Sequence, residues 1–357
     1  MKPYSNGKSL LHTFTEKSAP SSRRSFFLRS LVGGAAALAL TSIPFSGSRA
    51  LAGVEGPDPT PGDIAILKFL AAAELLECDL WGQYCELARG NRRFNAALRR
   101  IDAGLPDYVC QDFDDECSHA ALINAYLVSV GQTAVNLDGF RTLPSSTAQG
   151  AEDKGRLTSL TNLTVDTSFY NRYRGAGNPD FGDTFPQIVE IVNQPAIPTV
   201  DRNHPTALAT IAQVAAFHFG MIEQGGSSLY TNLLGKVSSA DALAILSSIG
   251  PTEFYHFAVF QTALEGIRPL GRRSSVNFPA LHRSASRFQV MPKPCKFLST
   301  ALPLSSVLRP RKTENAGAGA TVTALANSGL FTGQTPEFFA AATALATAAD
   351  AATRTCV

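Results

Sequence analysis

GPTEFYHFAVF (250–260) sets Glu253 and His256 three residues apart in a largely apolar run. DDECSHAALI (114–123) repeats the spacing with Glu116 and His119. A carboxylate and an imidazole are costly to bury unless something compensates them. Residues three apart share one face of a helix. Each stretch therefore aims two potential metal ligands at the side of a helix that its neighbours mark as core. Chance placement of 13 Glu and 6 His in 357 residues gives about 0.2 such pairs, and two occur.

Outward from these pairs the chain reads as helices. DPTPGD (58–63) is a linker and helix start, with Pro61 suited to a first turn. A first helix spans 63–88. RGNRRFNAALRRIDAGLPDYV (89–109) is a short connection with a helical turn. A second helix spans 112–130, with Asp112 as N-cap and Gly131 as its stop. Residues 132–204 are rich in turn formers (RTLPSS, RGAGNPDFGDTFP, NQPAIPTVDRNHP), with short helices expected near 151–172 and 183–193. A third helix runs from Pro205 to about 234. KVSSADALAILSSIG (236–250) is a turn and a short helical run, and a fourth helix covers 251–264, beginning or kinking at Pro251. Residues 266–330 are loop-rich, and an Ala-rich helix over 336–353 ends the chain. A hydrophobic share of 45% and a charged share of 17% are those of a globular chain, and no repeat points to a solenoid.

Two helices with a short link, a long crossover (132–204) and two more helices with a short link predict an all-α four-helix bundle of ferritin-like connectivity over 53–265. A basic, loop-rich extension, 266–357, follows and ends in a helix. The two helices without a Glu-x-x-His pair each offer one Glu in an apolar run: Glu74 in LAAAELLECDLW and Glu223 in FHFGMIEQGGSSLY. The chain order is then Glu, Glu-x-x-His, Glu, Glu-x-x-His, the ligand set of di-iron and di-manganese carboxylate bundles. Four carboxylates offset two divalent ions, and imidazole adds a nitrogen donor suited to Fe or Mn. Glu74, Glu116 and His119 would serve one ion, and Glu223, Glu253 and His256 the other. Glu77 is an alternative to Glu74. His218 lies five before Glu223, off its face, and reads as packed or surface. His204 and His282 fall in loops without partner spacing.

Over residues 63–266, through DIAILKFLAAAELLE, DDECSHAALINAYL and GPTEFYHFAVF, the chain resembles the ferritin-like family that includes plant and bacterial desiccation-related proteins. The resemblance implies that Glu116 and Glu253 bridge two metals while Glu74 and Glu223 are terminal. It prefers Glu74 over Glu77, because Cys78 four on and Trp81 seven on match the family pattern. It also implies two Fe, or Mn, per chain, with O2 or peroxide as partner and Fe(II) oxidation or peroxide removal as the chemistry. Pro251, the long crossover and the basic extension depart from the family and argue against a hollow storage cage. The alternative is a non-catalytic desiccation or stress protein whose degenerate, metal-free site is a hydrogen-bonded core network. Trp81 and Tyr84, beyond Glu74 on the first helix, read as core aromatics or as an electron route.

Cys78 and Cys85, and Cys110 and Cys117, share the spacing i, i+7. In an antiparallel helix pair partners have a constant sum of residue numbers, and Cys78 with Cys117 and Cys85 with Cys110 both total 195. One register thus brings both pairs together as disulfides in an oxidising compartment. Helix axes 8–10 Å apart against Cα atoms about 5.5–6 Å apart in a disulfide require small neighbours. Cys295 and Cys356 would close the tail. The alternatives are free buried thiols, or thiolate ligation and redox roles at Cys78 and Cys117.

Residues 1–52 read as a targeting segment. Arg23-Arg24 precede Phe26, Phe27 and Leu28, an apolar run 31–43 follows, and Ala50-Leu51-Ala52 offers a cleavage site, a twin-arginine type of signal. The run falls short of the ~20 residues of a membrane span. A periplasmic or other extracytoplasmic location is expected, with a thylakoid lumen as the alternative because 1–22 are Ser/Thr-rich. Without 1–52 the chain carries 24 Lys/Arg against 28 Asp/Glu. Residues 266–313 hold ten Lys/Arg and no acid, a block able to meet an anionic surface. No nucleic-acid fold signature accompanies it, so no nucleic-acid partner is expected.

Overall fold

The computed structural model describes residues 58–201, 204–281, 291–308 and 316–355. The expected targeting segment, His282 and Cys356 lie outside them. The described chain is mostly helical, with eight α-helices and one two-stranded sheet.

Helix α1, Pro61–Gly90, opens on a capping box. The Thr60 hydroxyl accepts from the Asp63 amide at 3.1 Å, and Asp63 Oδ2 accepts from the Thr60 amide at 2.9 Å. Asn91 then caps α2, Arg92–Ile101, by accepting from the Phe94 amide. This full helix replaces the expected connection. Phe94, Ala97 and Leu98 bury one face while the arginines stay outside. Helix α3, Leu105–Ser129, starts seven residues before the expected N-cap, at Leu105-Pro106. Asp112 is therefore no cap. It is a buried residue two turns inside the helix.

Two disulfides, Cys78–Cys117 and Cys85–Cys110, join α1 to α3 in antiparallel register, with Cα atoms 4.9 and 4.8 Å apart. The required small neighbour is Gly82, where a Cβ would come within 3.1 Å of the Phe113 ring. Helix α5, Pro205–Leu234, and helix α6, Ala240–Ala263, form the second antiparallel pair. A Cβ on Gly250 of α6 would meet Tyr230 Cβ of α5 at 3.0 Å, and one on Gly226 would meet Glu253. Pro251 neither starts nor ends a helix. It lies inside α6, so the separate run expected over 236–250 is the first half of the same element. By length and hydropathy α5 is apolar enough to span a membrane, but 78% of that window is buried, as in a core helix.

The crossover contains strands β1, Leu163–Val165, and β2, Ile191–Gln194, paired antiparallel, and one short helix, α4, Ser168–Arg174. The helix expected near 183–193 is absent. Pro186 and Pro195 bracket that stretch, and Ile191-Val192 suit a strand. Buried Asp79 of α1 straps the crossover down. It accepts from Arg141 Nη1 (2.7 Å), the Leu157 and Thr158 amides (3.0 Å each) and Thr158 Oγ1 (2.8 Å). Buried Arg156 pairs with Glu86, about two turns further along α1.

The C-terminal residues are part of the same core. In α8, Pro336–Ala351, Ala346 and Ala349 pack among Ile66 and Leu70 of α1. Helix α7, Ala318–Asn327, was not expected; its first amides at Ala318 and Gly319 donate to the Asp350 carboxylate, at 2.9 Å each. Cys295 is a buried free thiol, and its expected partner, Cys356, lies outside the described residues. Its backbone exchanges a pair of hydrogen bonds with that of Ser305, at 2.9 and 3.0 Å.

Candidate metal centre

Four helices deliver ionisable side chains to one buried place. Helix α1 supplies Glu74, α3 supplies Asp112, Glu116 and His119, α5 supplies Glu223, and α6 supplies Glu253 and His256. On α3 the spacings of four and three put the three ligands on one face. On α6, continuity through Pro251 keeps Glu253 and His256 on one buried stripe.

The side chains form two groups whose ligand atoms lie within 4.8 Å of one another: Glu74, Glu116, His119 and Glu253, and Asp112, Glu116, Glu223 and His256. In the first, His119 Nδ1 lies 3.4 Å from Glu74 Oε2, 3.3 Å from Glu116 Oε2 and 3.5 Å from Glu253 Oε1. In the second, His256 Nδ1 lies 2.9 Å from Asp112 Oδ1, 3.1 Å from Glu116 Oε1 and 3.4 Å from Glu223 Oε2. The two rings face each other at 6.3 Å between centroids. Glu116 belongs to both groups and turns one oxygen toward each histidine.

All six residues expected from the sequence are brought together, with two differences in grouping. Glu253 joins His119 rather than His256, and Asp112 takes its place beside Glu223. Asp112 went unrecognised because an expected helix start made it a cap. Its position four before Glu116 was the signal that could have found it. Glu77 is outside both groups, which leaves Glu74 as the α1 candidate. Cys78 and Cys117 are bonded to each other, so neither offers a thiolate. His218 is buried beside Tyr84, 2.8 Å from its hydroxyl, and burial pushes its pKa down to about 3. His204 caps α5 by accepting from the Thr206 amide. Trp81 stacks on Phe260 and Tyr84 packs edge-on to Phe219, both as core aromatics.

The electrostatics are those of a crowded acidic pocket. Burial, then neighbouring carboxylates, raises Glu116 and Glu253 well above the usual range. Burial and the Asp112 charge push Glu223 up to about 8. Burial also raises Asp112. Burial works to raise Glu74 too, but contacts with His119, Glu116 and the Tyr230 hydroxyl outweigh it and lower its pKa. Burial would lower His256, yet Asp112, Asp115, Glu116 and Glu223 hold it well above its ordinary value.

Glu74 Oε2, Glu116 Oε1, His256 Nδ1 and both oxygens of Asp112, Glu223 and Glu253 are buried without a well-directed hydrogen bond. Buried polar atoms are nearly always satisfied, so a converging set of orphans calls for a missing partner. Divalent cations fit: oxygen and imidazole donors suit Fe and Mn, and five carboxylates outweigh the charge of two such ions. Outside the ligands, half-exposed Asp115 sits 3.1 Å from His256 Nε2. A proton held there leaves Nδ1 free to face the carboxylates. No family model, curated protein or solved structure matches the chain.

Proposed function

We propose that this protein is a ferritin-like four-helix bundle, related to desiccation-associated proteins, that binds two Fe or Mn ions through Glu74, Asp112, Glu116, His119, Glu223, Glu253 and His256. The observation that carries this reading is Glu116, whose two oxygens lie 3.3 and 3.1 Å from the Nδ1 atoms of two different histidines. Bound Fe or Mn would supply one-electron redox chemistry toward O2 or peroxide. The chain's own part is positional. Glu116 spans both groups, Asp115 fixes the His256 ring, and the Tyr230 hydroxyl donates to Glu74 and holds its second oxygen toward His119. Burial excludes water and leaves the carboxylates dependent on cations or protons for neutralisation.

The function follows as an exported oxidoreductase of stress or iron metabolism, acting on Fe(II), O2 or peroxide. The two disulfides fit an oxidising compartment, in keeping with the twin-arginine type of leader. The raised carboxylate pKa values favour one second reading, in which protons rather than metals neutralise a purely structural core. Aerobic oxidation of Fe(II) separates the two. The first predicts oxidation by the wild type that Glu116→Ala abolishes; equal, background rates for both would leave the structural reading.

A further inference from the structure

Next to the acidic centre lies a cavity of about 580 Å³, within the usual size of small-molecule sites, about 300–1,000 Å³. Its walls are α1, α5, β1 and β2 of the crossover, and the C-terminal helices α7 and α8. Helix α1 lines it from Phe69 to Leu80, about 16 Å at 1.5 Å per residue, so the space is elongated. Leu76, Ile222, Leu229, Leu325 and Phe331 make the walls apolar. Among the described residues, the lining contains Glu77, Asp166 and Glu190 and no Lys or Arg.

Two glycines open one wall. Gly225 faces empty space where a Cβ would point, and a Cβ on Gly226 would meet Glu253 Oε2 at 2.6 Å. Both line the cavity. Helix α5 is thus bare where the cavity comes up against the carboxylate cluster. Glu77 also lines the cavity, close enough to feel the charges of Glu223 and Glu253, and its buried Oε2 has no hydrogen-bond partner among the described residues.

We propose that this cavity binds an uncharged, chain-shaped lipid of the long-chain alcohol or aldehyde class, its chain along α1 and its polar end beside Glu77 at the Gly225–Gly226 opening. Shape and apolar walls select an aliphatic chain. No cation among the described lining residues is at hand to neutralise a carboxylate head, whose burial would then cost its hydration. A neutral oxygen instead gives the Glu77 carboxyl a partner. Binding needs only the cavity, so it stands whether or not the cluster holds metal.

The test is displacement of the neutral fluorophore N-phenyl-1-naphthylamine from the full chain, with and without EDTA. Expected are saturable probe binding in both conditions and displacement by 1-dodecanol, with dodecanoate weaker by about tenfold or more. Gly225→Leu on α5 and Ala342→Phe on α8 add bulk to two lining positions, and each lowers dodecanol binding about tenfold while the circular dichroism spectrum is unchanged. Either variant suffices if the other fails to fold. Absence of saturable binding, dodecanoate competing as well as dodecanol, or wild-type affinity in a folded cavity-filled variant would overturn the proposal.

Discussion

Replacing Glu223 by Gln in the metal-free protein gives a pH dependence with a definite sign. Glu223 is pushed up to about 8 from an ordinary 4.5, so above pH 4.5 the folded chain holds a proton that the unfolded chain has released. Stability therefore falls as pH rises toward 8. His218 opposes this at low pH. Its pKa is lowered to about 3, so folding costs a proton below the unfolded value of 6.5, and stability rises with pH up to that point. His256, raised above 6.5, adds to the fall beyond it. The clean window is thus pH 6.5 to 8. At about 1.4 kcal/mol per unit, Glu223 alone accounts for a loss of about 2 kcal/mol there. Reversible urea unfolding in EDTA at pH 6.5, 7.2 and 8 measures it. The wild type should lose at least about 2 kcal/mol across the window, and Glu223→Gln should lose about 2 kcal/mol less. A wild type whose stability is flat or rising over this range, with the variant parallel to it, would refute the claim that the pocket holds protons when it lacks metal.

Other outcomes follow from the same geometry. Asp115→Asn weakens the orientation of His256 and should lower metal affinity about 10- to 100-fold, read by competition with a chromophoric chelator, without changing the fold. Cys85→Ser with Cys110→Ser removes a covalent link across 25 residues and should cost about 3 kcal/mol in denaturant unfolding. Asp79→Ala leaves Arg141 and the Leu157 and Thr158 amides without their buried acceptor and should cost about 3 kcal/mol or more, with proteolysis appearing first in the crossover.

Local signals made much of this molecule legible. The starts of α1, α5 and α8 follow from Pro at the first turn after a polar residue, and the cysteine register follows from two equal spacings. What sequence reading missed depended on distant partners or on a locally ambiguous residue. The α7 helix is capped from α8 by Asp350, which lies 31 residues on from Gly319. The strands β1 and β2 are three and four residues long and meet across 25 intervening residues that include α4. Pro251 looked like a helix start because a proline more often begins a helix than interrupts one, yet close packing of Gly250 on Tyr230 keeps α6 continuous. Asp112 looked like a cap for the complementary reason. The six expected ligands stood out because glutamate and histidine are conspicuous in apolar runs, whereas their division between two groups depends on the depths at which four helices meet.

The most direct measurement is the metal content of the purified protein after gel filtration. The account predicts about two Fe or Mn per chain, lost together in Glu116→Ala because that carboxylate serves both groups. A folded protein that carries no metal, takes none up from excess Fe(II) or Mn(II), and is indifferent to Glu116→Ala would contradict it.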